Sequence, residues 1–445
     1  MTIDMPAEAT RLVRRYYIYG GIYTLAASVI WGINTLFLLD AGLSISEVFI
    51  ANSAFSVGTL LFEIPTGVVA DTIGRRVSFL LSLAVLAATT LAYVALAQVG
   101  GGLIAFAAVS VMMGLGFTFY SGAMEAWLVD GVRFLGYEGE LDRVFARGQT
   151  IGNAAMLVGT IGGGLMGQID LAVPFVFRTG LLVTLFILVV PGMKDLGFEP
   201  RRVPLRQIPA EAANIAGAGV RFGWHQKSLR LMMLATAAQY GFFAWAWYAW
   251  QPYFLELLGR DAIWVAGVVA SLLALSMIVG NSIVEVVMRW CGRRTTLFLW
   301  SAALFSTALI GVGLVSSFIP AVVLLFLAGL AMGVQTPVRQ AFVHHVVPGE
   351  QRATVVSLDS MIAGGGGVIG QTSLGALSEQ RGFSAGYIIG GLTTLVALPL
   401  LFGVRKNNDD ADFFGGIAPD LDNACVPQGL PAIAGITNEV VADTR

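Results

Sequence analysis

A helix that crosses a bilayer needs roughly 20 consecutive, mostly apolar residues, and this chain supplies such a run about twelve times. The runs start near Tyr17, Glu47, Val77, Gly102, Gly148 and Ala172, and resume near Leu229, Ala262, Thr295, Pro320, Thr354 and Ser384. No soluble core needs so much continuous apolar sequence. Soluble domains carry about 25% charged residues, whereas 12% of these 445 residues are charged and 56% are hydrophobic. The pattern predicts an all-α membrane protein of twelve transmembrane helices, with the lipid bilayer as its solvent. A net charge of −2 gives no reason to expect a nucleic-acid partner.

The break between the sixth and seventh runs holds Pro200, Pro204, Pro209 and most of a basic cluster. The organisation read from this is an N-terminal six-helix bundle at 1–192 and a cytoplasmic linker at 193–228. A second six-helix bundle follows at 229–404, then a polar tail at 405–445 whose composition predicts disorder. Cys291 and Cys425 lie far apart without metal-ligand spacing and read as free thiols, so neither a metal nor a cofactor is expected. The first fifteen residues carry Asp4, Glu8, Arg11, Arg14 and Arg15 instead of an apolar core, and no cleaved signal peptide is expected.

Basic residues orient the chain, because loops rich in Lys and Arg stay in the cytoplasm. Of 26 Lys and Arg, 23 fall on the N-terminus, the even-to-odd loops or the C-terminus; only Arg178, Arg260 and Arg381 fall toward the other side. Both termini are therefore expected in the cytoplasm, with the protein multi-pass in the inner (plasma) membrane. The halves also echo each other. Gly74–Arg76 after the second run is matched by Gly292–Arg294 after the eighth, and "GGGLMGQ" (Gly162–Gln168) by "GGGVIGQ" (Gly365–Gln371). Parallel six-helix repeats around a mid-membrane cavity are a transporter architecture.

The seam "GVVADTIGRR" (Gly67–Arg76) places Asp71 and two arginines in the turn between helices 2 and 3. Gly67 permits close helix approach, Gly74 makes the turn, and Arg75 and Arg76 can pair with a carboxylate such as Asp130 or snorkel to headgroups. Taken alone, this is either a gate or a positive-inside anchor. The stretch resembles the 2–3 loop signature of the major facilitator superfamily, Gly-x-x-x-Asp-Arg/Lys-x-Gly-Arg-Arg/Lys. Gly67, Asp71, Gly74, Arg75 and Arg76 match, and Thr72 departs. The resemblance implies that Asp71 and Arg75 belong to a conformational gate, with the Asp71, Arg75 and Asp130 contacts expected when the cytoplasmic side is closed. In the second copy Glu285 and Arg289 replace the Gly and Asp. "GTIGGGLMGQ" (Gly159–Gln168) is similar to the family's antiporter signature at Gly159, Gly163 and Gly167, with Gly164 in place of its Pro. The residue-level content is a smooth helix-packing face with a bend possible at the glycine run. The family's Arg on helix 4 is missing, with Ser110 in its place.

Charges inside a membrane are costly and are functional candidates by default. Glu63 on helix 2, Glu125 on helix 4 and Arg339 on helix 10 are the proton-coupling candidates, and repeat position suggests that Glu125 and Arg339 could meet. Asp359 and Arg178 read as interfacial pairing residues. Helix 7 carries "QYGFFAWAWYAWQPYF" (Gln239–Phe254), whose Tyr240, Trp247 and Trp250 suit planar apolar compounds or organic cations. Trp31 and Asn34 on helix 1 are weaker candidates. The resemblance implies that helices 1, 4, 7 and 10 line the cavity. The expectation is a secondary active transporter, not an enzyme, that exports apolar or cationic drug-like molecules in exchange for protons and acts as a monomer. An importer of a small metabolite on the same fold is the alternative.

Overall fold

The computed structural model describes residues 5–121, 123–139, 141–198, 200, 224–259, 262–347, 352–407 and 412–413. Among them there is no strand. The first half folds into α1 (Ala7–Ser28), α2 (Asn34–Asp40), α3 (Ile45–Ile73), α4 (Arg75–Val99), α5 (Leu103–Ser121), α6 (Ala123–Phe134), α7 (Asp142–Gly167) and α8 (Val173–Gly192). The second contains α9 (Lys227–Leu258), α10 (Ile263–Ser282), α11 (Val284–Cys291), α12 (Arg294–Leu314), α13 (Phe318–Val346), α14 (Arg352–Thr394) and α15 (Ala397–Lys406). Pairs α1–α2, α5–α6 and α10–α11 each make one crossing. α14 is divided at Gly382, whose φ of 82° interrupts the helix; its first part makes one crossing and its remainder with α15 makes another. The result is twelve crossings, six in each half. Most of the expected linker, 201–223, lies outside the described residues, as does nearly all of the tail.

Local chemistry sets the boundaries. A reciprocal capping box opens α3: Glu47 N–H donates to Ser44 Oγ at 3.4 Å and Ser44 N–H to Glu47 Oε2 at 2.9 Å. Left-handed glycines end α4 at Gly100 and α9 at Gly259. The near face of the bundle is the one that holds the start of α1 and the α3–α4 turn, and the far face is opposite.

Both glycine runs act at helix crossings. A Cβ at Gly163 would overlap the Val29 carbonyl of the first crossing, and a Cβ at Gly159 would overlap Ser28 Oγ. One at Gly164 would sit 3.2 Å from the backbone of Gly267 and Trp264 on α10, in the other half, and Gly167 approaches Ile263. The echo repeats this geometry. Gly366 and Gly370 press on the Ala237 and Gly241 carbonyls of α9, while Gly364 meets Leu60 of α3 across the halves. The halves therefore join along α7–α10 and α3–α14, where missing side chains let backbones approach closely. α7 runs without a break through Gly162–Gly164.

Candidate functional site: a cavity between the halves

A cavity of about 790 Å³ lies between the halves. Trp31, Asn34, Asn52, Tyr93, Ser110 and Arg178 line its far part, and Gln149, Asn153, Asn281 and Gln340 carry it toward the near face. Among the described residues, no Asp or Glu lines it. The far end is closed by hydrogen bonds between the halves. Thr35 N–H donates to Gln251 Oε1 at 2.8 Å, Gln251 Nε2 donates to the Trp31 carbonyl at 2.8 Å, and Thr35 Oγ1 donates to the Tyr248 carbonyl at 2.9 Å. Glu379 accepts from Ser46 N–H at 2.9 Å, and Thr160 and Ser271 hydroxyls meet at 3.0 Å. All these bonds fall in the far half of the bundle.

One wall is aromatic. Ring centroids step from Tyr240 to Phe243 at 6.0 Å, to Trp247 at 5.8 Å, and across the interface to Trp31 at 5.9 Å. Tyr240 and Trp247 line the cavity. Trp250 does not: it is 2% exposed in the core of the second half, touching only a small void beside Trp31 and Trp247. Helical geometry explains the difference. At about 100° per residue, Trp247 returns to within about 20° of Tyr240, while Trp250 lies about 80° off that stripe. Asn34 faces the cavity and donates from Nδ2 to Asn52 Oδ1 at 2.9 Å.

The seam is built within one half. Arg75 lies between Asp71, 2.5 Å from Nη1, and Asp130, 3.6 Å from Nε, with its guanidinium 5.8 Å from the Phe198 ring. Arg76 N–H, at the start of α4, donates to Asp195 Oδ1 at 2.9 Å, and Arg76 Nη2 donates to the Val190 carbonyl at 2.5 Å. Burial pushes the Asp195 carboxyl above its usual range, against the pull of the Arg76 N–H. These contacts exist while the cavity reaches toward the near face. Both carboxylates that Arg75 contacts come from the same half, so these contacts do not by themselves report whether the two halves have closed. Gly67 is exposed.

Three other expectations change. Arg339 does not meet Glu125. Its Nη1 and Nη2 donate to Asp359 Oδ2 at 2.7 and 2.6 Å, between α13 and α14 of one half. Glu63 and Glu125 are exposed and do not line the cavity. Arg178, expected in an interfacial pair, is 5% exposed, lines the cavity and belongs to none of the described ion pairs. Gln251, Asn52 and Gln371 were missed. Each is a lone amide in an apolar run, where an unpaired polar group costs several kcal/mol. That cost was the available signal.

Two six-helix halves around a central cavity are the architecture of a secondary transporter. The sequence profile of the Major Facilitator Superfamily matches residues 17–299 and 265–416, and the chain belongs to that family. The nucleoside transporter NupG is similar in structure, with a TM-score of 0.72, 12% identity, 89% of this chain and 99% of that one. So is the human organic anion transporter MFSD10 (TETRAN), at 0.60, 16%, 89% and 100%. A POT family transporter in complex with 5-aminolevulinic acid gives 0.69, 12%, 90% and 96%. At these identities the likeness is one of fold. No curated protein sequence matches.

Proposed function

We propose that this transporter exports amphipathic, aromatic small molecules across the inner (plasma) membrane by alternating access, in exchange for protons. The observation that carries the reading is the cavity itself: large, aromatic on one wall and sealed at one end. With the near face assigned to the cytoplasm by its basic residues, this state is inward-open. The cationic substrates expected from the sequence are set aside, because the described lining residues include Arg178 and no carboxylate.

In this reading the seam works as a prebuilt clamp. Gly67, Asp71, Gly74, Arg75, Arg76 and Asp130 keep one rigid edge on which the other half closes. Asp71, with 36% of its side chain exposed, keeps a free side for the N-terminus of α14. Asp71→Asn should leave a well-inserted protein with impaired turnover; wild-type transport would reduce the seam to an anchor. Glu63 and Glu125 remain the proton carriers proposed, with Glu125 within electrostatic reach of the Tyr120 hydroxyl and Tyr120 stacked at 3.6 Å on the cavity residue Tyr23. At least one of Glu63→Gln and Glu125→Gln should abolish proton-driven transport while substrate still binds. Arg339 enters this scheme through its pair with Asp359.

The importer reading has its own support in the amides Asn34, Asn52, Gln149, Asn153, Asn281, Gln340 and Gln371, which could pair with a polar metabolite. Accumulation of fluorescent aromatic substrates in cells, with and without a proton uncoupler, separates the two. Export predicts low accumulation that rises on uncoupling; import predicts the reverse. Reporter fusions after residues 40 and 260 should read outside, and those after 75 and 210 inside.

A further inference from the structure

Arg178 is the unusual charge of this molecule. It lies on α8 about one and a half turns from the helix start at the far face, between Phe175 and Leu182, which are 0% and 1% exposed. Its Nε has no hydrogen-bond partner. The described ion pairs use Arg11, Arg75 and Arg339 and leave Arg178 out. Around it stand neutral groups: the Tyr23 and Tyr93 hydroxyls lie within its electrostatic reach, and Tyr93 itself contacts the Ser110 hydroxyl. All four residues line the cavity.

An uncompensated buried cation costs several kcal/mol even after relaxation, and the bilayer interior adds to that cost. Packing alone gives no reason to keep a guanidinium here. A leucine or methionine would fill the same space between Phe175 and Leu182. The guanidinium is instead presented to the cavity, with donor hydroxyls beside it. A planar fork of N–H donors suits a carboxylate better than any neutral acceptor. Arg178 is the one charged residue among the described lining residues, and one cation matches one negative charge, since a dianion would leave half its charge unpaired in a low-dielectric pocket.

We propose that Arg178 is the head-group site of this cavity and holds the carboxylate of an amphipathic aromatic monoanion, whose ring lies along Trp31, Trp247 and Phe243. Tyr23, Tyr93 and Ser110 supply further hydroxyl donors. The inference rests on the cavity being the transport site, as proposed above, and narrows its substrate class.

The test uses the purified full-length protein in lipid nanodiscs and three probes with one ring system: 2-naphthoate, neutral 2-naphthylmethanol and cationic 2-naphthylmethylammonium. Quenching of tryptophan fluorescence reads their binding. The expected result is naphthoate binding at least tenfold tighter than either other probe. Arg178→Gln should remove that preference with little change for the alcohol, while Arg178→Lys should keep much of it. Should Arg178→Gln fail to fold, Tyr23→Phe and Ser110→Ala provide the second arm, each lowering naphthoate affinity several-fold and sparing the alcohol. Equal binding of alcohol and naphthoate, or a preference that survives loss of Arg178, overturns the assignment while the aromatic cavity stands. Failure of all three probes to bind overturns the aromatic cavity reading as well. Chloride or inorganic phosphate at millimolar concentration, titrated against gluconate, is the remaining arm. If either ion alone stabilises the protein through Arg178 and excludes naphthoate without itself being displaced, the site is one for inorganic ions and the proposal fails.

Discussion

The two seams share the sequence Gly-Arg-Arg and are held differently. In the first, Gly74 turns with φ 119° into α4, and Arg75 is shared by Asp71 and Asp130. In the second, Gly292 turns with φ 65° ahead of α12, and the position equivalent to Asp71 holds Arg289. Arg293 instead lies over the Phe413 ring at 4.5 Å. One device is common to both. A carboxylate from beyond the last helix of each half caps the helix after the turn: Asp195 receives Arg76 N–H, and Asp412 receives Thr295 N–H and Oγ1, both at 2.7 Å. The cap satisfies N–H groups that a helix start leaves open and favours negative charge there. The structural cap is thus present in both halves, and among the described residues the carboxylate–arginine cluster is present in the first. If only one half carries the clamp, closure of the near face should depend on the first seam far more than on the second.

The comparison can be broken first at the glycines. Gly74 holds a conformation that only glycine adopts freely, and a Cβ there would strike the Asp195 carboxylate. Gly74→Ala should cost about 3 kcal/mol, strain and lost cap together. Gly292 has open space around it, and Gly292→Ala should cost about 1 kcal/mol. Thermal unfolding of the two purified variants checks the ranking; a Gly292 variant less stable than the Gly74 variant would reverse it. The caps come next, with the order inverted. Asp412 is 1% exposed and accepts two bonds, so Asp412→Ala should cost about 2–3 kcal/mol. Asp195→Ala, which frees one backbone donor, should cost about 1 kcal/mol. Equal shifts would mean that the caps are interchangeable.

Arg75→Ala and Arg293→Ala separate structure from turnover. Arg75 lies beside two carboxylates that are each about one-third exposed, so solvent screening limits its contribution to about 1 kcal/mol of stability. Its larger effect should be on transport, at least tenfold at unchanged membrane abundance. Arg293 has an aromatic contact worth about 0.5–1 kcal/mol, and its loss should leave transport within twofold. A tenfold loss in both would put a working clamp in each half.

How much of this could be read from the sequence depends on the kind of constraint. The twelve crossings and the two halves were legible, because bilayer thickness and glycine spacing act locally along the chain. Asp71, Arg75 and Asp130 were brought together correctly, since they share one membrane edge. The pairing of Arg339 with Asp359 was not legible. It depends on the rotation of α13 against α14, which repeat position does not supply. Trp250 was misplaced by treating helical spacing as coarse when an 80° offset decides between cavity and core. Asp195 and Asp412 lie in segments without periodicity, where no pattern marks a cap. Arg178 was visible as a lone charge in an apolar run, but the described ion pairs do not include the partner that an interfacial pair requires.

The smallest effect is the pH response of the first seam. Burial raises the Asp195 carboxyl above its ordinary value of 3.8. A carboxylate with a raised folded pKa binds its proton more tightly in the folded protein than in the unfolded chain. Its contribution to stability is therefore fullest in acid and is lost as pH rises through the folded pKa. Asp195→Asn keeps an acceptor for Arg76 N–H and removes the titration. The difference in Tm between wild type and Asp195→Asn should then shift in favour of wild type as pH falls from 7 toward 4, by no more than a few degrees. The variant should equal or exceed wild type at neutral pH, where the ionised carboxylate bears its full desolvation cost. A difference that stays constant with pH, or moves the opposite way, would mean that the Arg76 N–H and the nearby arginines outweigh burial. The two caps would then differ only in the number of hydrogen bonds they accept.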